Sequence, residues 1–89
     1  MTVTPDAPAV ARLSWNASSD SRTTGYRVYH GPAPGNYVQA FGAGLEAGAL
    51  LTFAVAGLPA GDIRYFAVTA IDAGGGESAF SNEASKAID

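Results

Sequence analysis

The chain has no cysteine, one histidine, one tryptophan and one methionine. Without cysteine there is neither a disulfide nor a thiolate metal site, so stability has to come from packing. A histidine-dependent metal or acid–base centre would rest on His30 alone, which reads as a strand-end residue. Positive charge is scarce as well. Arg12, Arg22, Arg27, Arg64 and Lys86 are scattered along a chain of net charge −3. Nucleic-acid binding, which needs clustered cations against phosphate, is therefore disfavoured. No apolar run approaches the roughly 20 residues that span a bilayer. The opening Met1-Thr2-Val3-Thr4 lacks the basic and apolar regions of a signal peptide. Met1 reads as an added start on a domain cut from a longer exported protein.

What the chain does have is the composition of a folded unit. Its 89 residues are 47% hydrophobic and 15% charged, which suits one globular domain over residues 1–89 with a single core. The dominant rhythm is short period-two runs separated by turn residues, the pattern of half-buried strands. "AVARLSW" sets Ala11, Leu13 and Trp15 on one side, and "YRVYH" sets Tyr26 and Val28 against Arg27 and Tyr29. "GPAPGN" breaks the second run, because proline cannot donate to a ladder and glycine tolerates positive φ. "YVQAF" is expected to be a weak edge strand and "GAGLEAGA" a flexible bridge. In "LLTFAVAGL", Leu51, Phe53 and Val55 share a face. "IRYFAVTAID" is the longest run, with Phe66, Val68 and Ala70 opposite Tyr65, Ala67, Thr69 and Ile71. "AGGGE" reads as a hairpin loop, and "SAFSNEASKAI" as the source of the last strand. Six or seven strands with turns at this spacing predict an all-β, two-sheet antiparallel sandwich.

Several stretches together resemble a fibronectin type III domain, in particular the bacterial kind: "ARLSW", "GYRVYHGPAPGNY", "GLPAGDIRYFAVTAIDAGGGES" and "SNEAS". The resemblance runs from about Pro8 to Ala87, so the core is expected over about 8–87. Its landmarks are Trp15, Tyr26-x-Val28, Leu58, Phe66-x-Val68-x-Ala70 and Ser81-Asn82-Glu83. It implies an immunoglobulin-like sandwich of about seven strands, with Trp15 and Tyr26 on inner faces of opposite sheets. Two features depart from the family. A tyrosine is usual about six residues after the leucine matched to Leu58, but Arg64 stands there and Tyr65 follows. Either Arg64 buries its stem near the sandwich end with its head in water, or a bulge turns Tyr65 inward. The segment before Ala9 is also short for a full first strand, and Pro5 and Pro8 restrict its pairing.

Motifs for catalysis are missing: there is no nucleophile elbow, no phosphate-cradling loop leading into a helix and no zinc-spaced His/Glu pair. "DAGGGES" joins two strands, which deprives an anion of a helix N-terminus. Asp72 and Glu77, at its flanks, offer few oxygens to Ca²⁺ and read better as solvated charges. The Arg-Gly-Asp of animal adhesion members is absent, and Asn16-Ala17-Ser18 matches a glycosylation sequon that a bacterial origin would leave silent. One constellation remains. If the strands carrying Tyr29 and Tyr65 are neighbours, as the resemblance implies, the two rings with Arg27 form an outward stacking patch for a sugar or a partner's backbone. The plainer reading is a cross-strand aromatic pair that stabilises the sheet.

The resemblance implies a non-catalytic spacer or accessory module, without cofactor or metal, in a secreted or cell-surface bacterial protein such as a polysaccharide-degrading enzyme. Its partners would be the neighbouring domains. The alternative is an interaction module that binds carbohydrate or protein through the tyrosine patch, or self-associates through exposed edge strands. Neither nucleic acid nor membrane insertion is expected.

Overall fold

A computed structural model describes residues 2–7, 9–81 and 83–88. Met1, Pro8, Asn82 and Asp89 lie outside the described residues, and with them the Asn82 landmark and the Pro8 boundary. Seven strands are described: β1 (Thr2–Ala7), β2 (Val10–Ser14), β3 (Thr23–Gly31), β4 (Leu45–Gly48), β5 (Thr52–Val55), β6 (Ile63–Asp72) and β7 (Ala84–Ala87). They form two antiparallel sheets, ordered β1-β2-β5 and β4-β3-β6-β7. The architecture is the all-β, two-sheet sandwich that the alternating pattern predicts.

Period-two side chains fill the space between the sheets. Ala11, Leu13 and Val55 face Tyr26, Val28, Phe66 and Val68, all of them buried. Large side chains buried this way contribute roughly 1.5–3 kcal/mol each. Trp15 of the smaller sheet meets Tyr26 of the larger edge-to-face, with ring centroids 5.7 Å apart. The Tyr26 hydroxyl then accepts a bond from the Ser18 amide at 2.9 Å, which pins the polar loop after Trp15. The core extends past both ends of the 8–87 stretch, for Val3 packs against it and Ile88 is buried in it.

Two local expectations need correction, and one open alternative is decided. β1 is a full strand, paired with β2 from Thr2↔Ser14 to Ala7↔Val10 despite its prolines. It lies at a sheet edge, where the amide that proline lacks has no ladder to serve, and its register shifts between Pro5 and Ala7. "YVQAF" is not a strand, and the fourth strand falls in the supposed bridge, at Leu45–Gly48. The Val38 amide and the Gln39 side chain instead saturate the His30 carbonyl and amide, which fastens residues 37–41 to the end of β3 as a loop. Finally, the ladder from Ile63↔Ala87 to Phe66↔Ala84 has no bulge, so Tyr65 is not turned inward.

Arg64 takes the inner-side position, but its head is not simply in water. Its Nη2 lies 3.2 Å from His30 Nδ1, and its Nε is buried without a hydrogen-bond partner. A guanidinium can only donate, so Nδ1 accepts and the imidazole carries its proton on Nε2. Burial and the nearby Arg64 charge both lower the His30 pKa.

The stretch before β7 completes the larger sheet in an unusual way. Ser81 and Ser78 donate their amides to the carbonyls of Val68 and Ala70, and their hydroxyls accept the amides of the same two residues. Two serine side chains thus stand in for ladder partners along the upper half of β6.

Candidate functional site

The chemistry-bearing side chains gather on the outer face of the larger sheet. Residues of β3 alternate, so Arg27 and Tyr29 point away from the core that holds Tyr26 and Val28. Across the ladder Arg27 pairs with Thr69, and Tyr29 with Ala67. In a simple sandwich this face would be wet. Here residues 32–44 fold back across it, and Phe80 comes over from the loop beyond β6.

The result is a second, smaller apolar cluster. The Tyr29 ring stacks on Phe41 (6.3 Å between centroids, 12° between planes) and meets Phe80 edge-to-face at 4.9 Å. Phe80 also contacts Tyr37 at 5.1 Å and Phe41 at 5.4 Å. Such pairs add about 0.5–1.5 kcal/mol beyond their buried area. Gly44 passes so close that a Cβ there would stand 2.6 Å from the Tyr29 ring.

Glu77 is the polar centre of the cluster. Its side chain is only 6% exposed, and it accepts from Arg27 Nη1 at 2.7 Å, Thr69 Oγ1 at 2.6 Å and the Tyr29 hydroxyl at 2.5 Å. Arg27 reaches Glu46 as well, at 2.7 Å. The Tyr29 oxygen accepts the Gly42 amide at 2.9 Å, which links the carboxylate to the covering loop. Burial alone would push the Glu77 pKa up, but bonds from Thr69, Tyr29 and Arg27 outweigh it and hold the carboxyl below its ordinary value. Burial, reinforced by the bond to Glu77, raises Tyr29. Burial and a bond to Glu83 likewise raise Tyr37. Glu83 accepts from both the Tyr37 hydroxyl and the Gly35 amide, fixing the covering loop at a second point. A buried carboxylate held by three donors from two strands serves as a structural anchor.

The expected patch of Arg27, Tyr29 and Tyr65 is thus divided. Arg27 and Tyr29 are together, but Tyr29 is 0% exposed and Arg27 is held by two carboxylates. Tyr65 pairs with Gly31, two rungs from the Tyr29–Ala67 pair, and lies half-buried beside Pro32 and Ile63. A flat pair of exposed tyrosines does not form. The parity of the strand was legible, whereas the loop that covers it was not. What the cluster shows to solvent is Phe41, at 58% exposure, and part of Phe80; Val38 of the covering loop is 62% exposed. Sequence reasoning passed over Phe41 and Phe80. The available signal was a lone large aromatic among small residues, in Ala40-Phe41-Gly42 and Ala79-Phe80-Ser81.

Asp72 and Glu77 are not a solvated pair either. Asp72 Oδ1 accepts the amides of Gly74 and Gly76, both at 2.9 Å, and shapes the glycine loop, while Glu77 turns inward. Among the described residues no group of three or more His, Cys, Asp or Glu side chains is placed to hold a metal ion. No described helix is long and apolar enough to cross a membrane.

Seven strands in a three-plus-four sandwich, with a tryptophan and a tyrosine meeting between the sheets, define the class of fold. Among solved structures, the solution structure of the sixth fibronectin type III domain from human fibronectin type III domain containing protein 3 is similar to this chain. The TM-score is 0.71 at 22% identity, over 98% of this chain and 78% of that one. The likeness is one of fold: the chain has the fibronectin type III sandwich. No family model matches the sequence, and no curated protein does.

Proposed function

We propose that the chain is a non-catalytic spacer or accessory module of a larger protein. The observation that carries this reading is the direction of the outer strands. β1 starts at Thr2, paired with Ser14 at the end where Trp15 meets Tyr26, and β7 finishes at Ala87, paired with Ile63 at the opposite end. The chain thus enters at one pole and leaves at the other. The body is elongated, 39 Å long against 22 and 19 Å across, somewhat more than the roughly 34 Å of a ten-residue strand at about 3.4 Å per residue. A rigid body of this shape holds its neighbours apart. The engaged state of Glu77 and the burial of Tyr29 support a structural use of the most polar cluster. The sequence resemblance favours an exported bacterial setting, beside domains that act on polysaccharide.

The test places fluorescent reporter domains before Thr2 and after Ile88 and measures their separation by energy transfer. A narrow distance distribution that survives until the module unfolds is expected. A distribution as broad as that of an equally long Gly/Ser linker overturns the spacer reading. In parallel, retention on insoluble cellulose, chitin or xylan would replace it with the binding alternative, and the exposed Phe41 and half-buried Tyr65 would be the first residues to substitute.

A further inference from the structure

The sandwich has four free strand edges, and three of them are blunted. β1 carries Pro5 and a register shift. β4 presents the exposed Glu46, has a shift opposite Tyr26 and Arg27, and ends on Gly48 at φ 65°. β7 covers only Ala84–Ala87, carries the exposed Lys86, and is preceded by the serine-capped stretch. Charge, proline, bulges and shortness are the devices by which sheets discourage edge pairing.

β5 has none of these except shortness. It is the last strand of its sheet, its register with β2 is unbroken from Ser14↔Thr52 to Ala11↔Val55, and Leu50-Leu51-Thr52-Phe53-Ala54-Val55 contains no charge and no proline. Such a segment has the composition that favours strand-to-strand association. The Trp15 amide donates to the Leu51 carbonyl, so residues 51, 53 and 55 direct their backbone groups toward β2. Thr52 and Ala54 therefore turn their N–H and C=O groups out along the open edge. Leu50 and Leu51 lie exposed at its start.

We propose that β5 is a self-association edge whose partner is the β5 of a second copy. Antiparallel pairing about a two-fold axis at Phe53 places Thr52 of each copy against Ala54 of the other. Four main-chain hydrogen bonds form, and the sheets join into one of six strands. Phe53, half-buried and packed at the margin of the core, meets its equivalent at a non-hydrogen-bonded site, where side chains approach most closely. A second copy suits this edge better than a charged peptide. The segment is uncharged, so facing itself brings no like charges together although the chain is acidic. So short a ladder gives a weak, reversible dimer, below the area of a standard stable interface.

Sedimentation velocity from about 10 µM to about 1 mM should show a monomer passing into a dimer. The Ala54 amide should gain exchange protection with concentration. Ala54→Pro removes an outward N–H that β2 does not use, and Ala54→Glu sets negative charge beside the axis. Each should weaken the dimer roughly tenfold or more. Circular dichroism melts establish that the variants fold, and should Ala54→Pro not fold, Ala54→Glu carries the test. A monomer throughout, or a dimer indifferent to the folded substitutions, overturns the proposal.

Discussion

Replacing Glu77 by alanine is the sharpest probe of the outer cluster. The change removes the shared acceptor of Arg27, Tyr29 and Thr69. Arg27 keeps Glu46, which limits its loss, but the Tyr29 and Thr69 hydroxyls are left as buried donors without a partner. Each stranded donor costs about 1–3 kcal/mol, so a total near 3 kcal/mol is expected after the residual Arg27–Glu46 pair is allowed for. Against the 5–15 kcal/mol typical of a domain, the variant stays folded. Its urea midpoint should fall by about 2–3 M at a slope of about 1 kcal/mol/M. Tyr29→Phe alone should cost about 1–2 kcal/mol. The double variant should cost less than the sum of the two singles by about 1 kcal/mol, because both remove the same bond. Acid titration supplies a second readout. The folded-state pKa of Glu77 is depressed, so its contribution is complete above the unfolded value of about 4.3 and is lost as pH falls through the lowered folded value. Glu77→Ala should flatten that part of the acid limb. A loss under about 0.5 kcal/mol, or additive singles, would refute the role given to Glu77.

Two further outcomes follow from the geometry. His30 has its pKa lowered by burial and by Arg64, so the unfolded chain takes up the proton first and stability falls as pH drops through about 6.5. Melting temperatures from pH 7.5 down to 5 should show this slope, and His30→Gln should remove it, whereas an unchanged slope would detach His30 from the effect. Gly31→Ala should be worse than Gly44→Ala by urea denaturation. At Gly31 the new Cβ would sit 1.9 Å from the Asn36 carbonyl oxygen, a backbone atom, while at Gly44 the closest approach is the longer 2.6 Å, to the Tyr29 ring. Equal losses would contradict the reasoning.

The sandwich was legible because inward positions such as Leu13, Val28, Phe66 and Val68 repeat with period two, and that period is set by the pleat itself. Where the pattern misled, longer-range contacts decided. "YVQAF" has better strand composition than "LEAG", yet Val38 and Gln39 saturate the end of β3 and leave the pairing to Leu45–Gly48. Pro5 argued against β1 only so long as the strand's place at an edge was unknown. For Tyr29, parity named the face but not its cover, since no periodicity announces that a loop will return over a sheet. Glu77 gave the weakest local hint of all. Its three donors come from two strands far away in the sequence or across a loop.

The cover over Tyr29 has a consequence for how the molecule breathes. The β3–β6 ladder from Arg27↔Thr69 to Tyr29↔Ala67 has packed side chains on both of its faces, where an ordinary sandwich sheet has water on one. Its amides therefore reach solvent only when the inner core and the outer cluster give way together, so their exchange reports global unfolding. The Ala70 amide, bonded to the Ser78 hydroxyl just beyond that ladder, can open without either event. One strand thus spans two regimes of local stability.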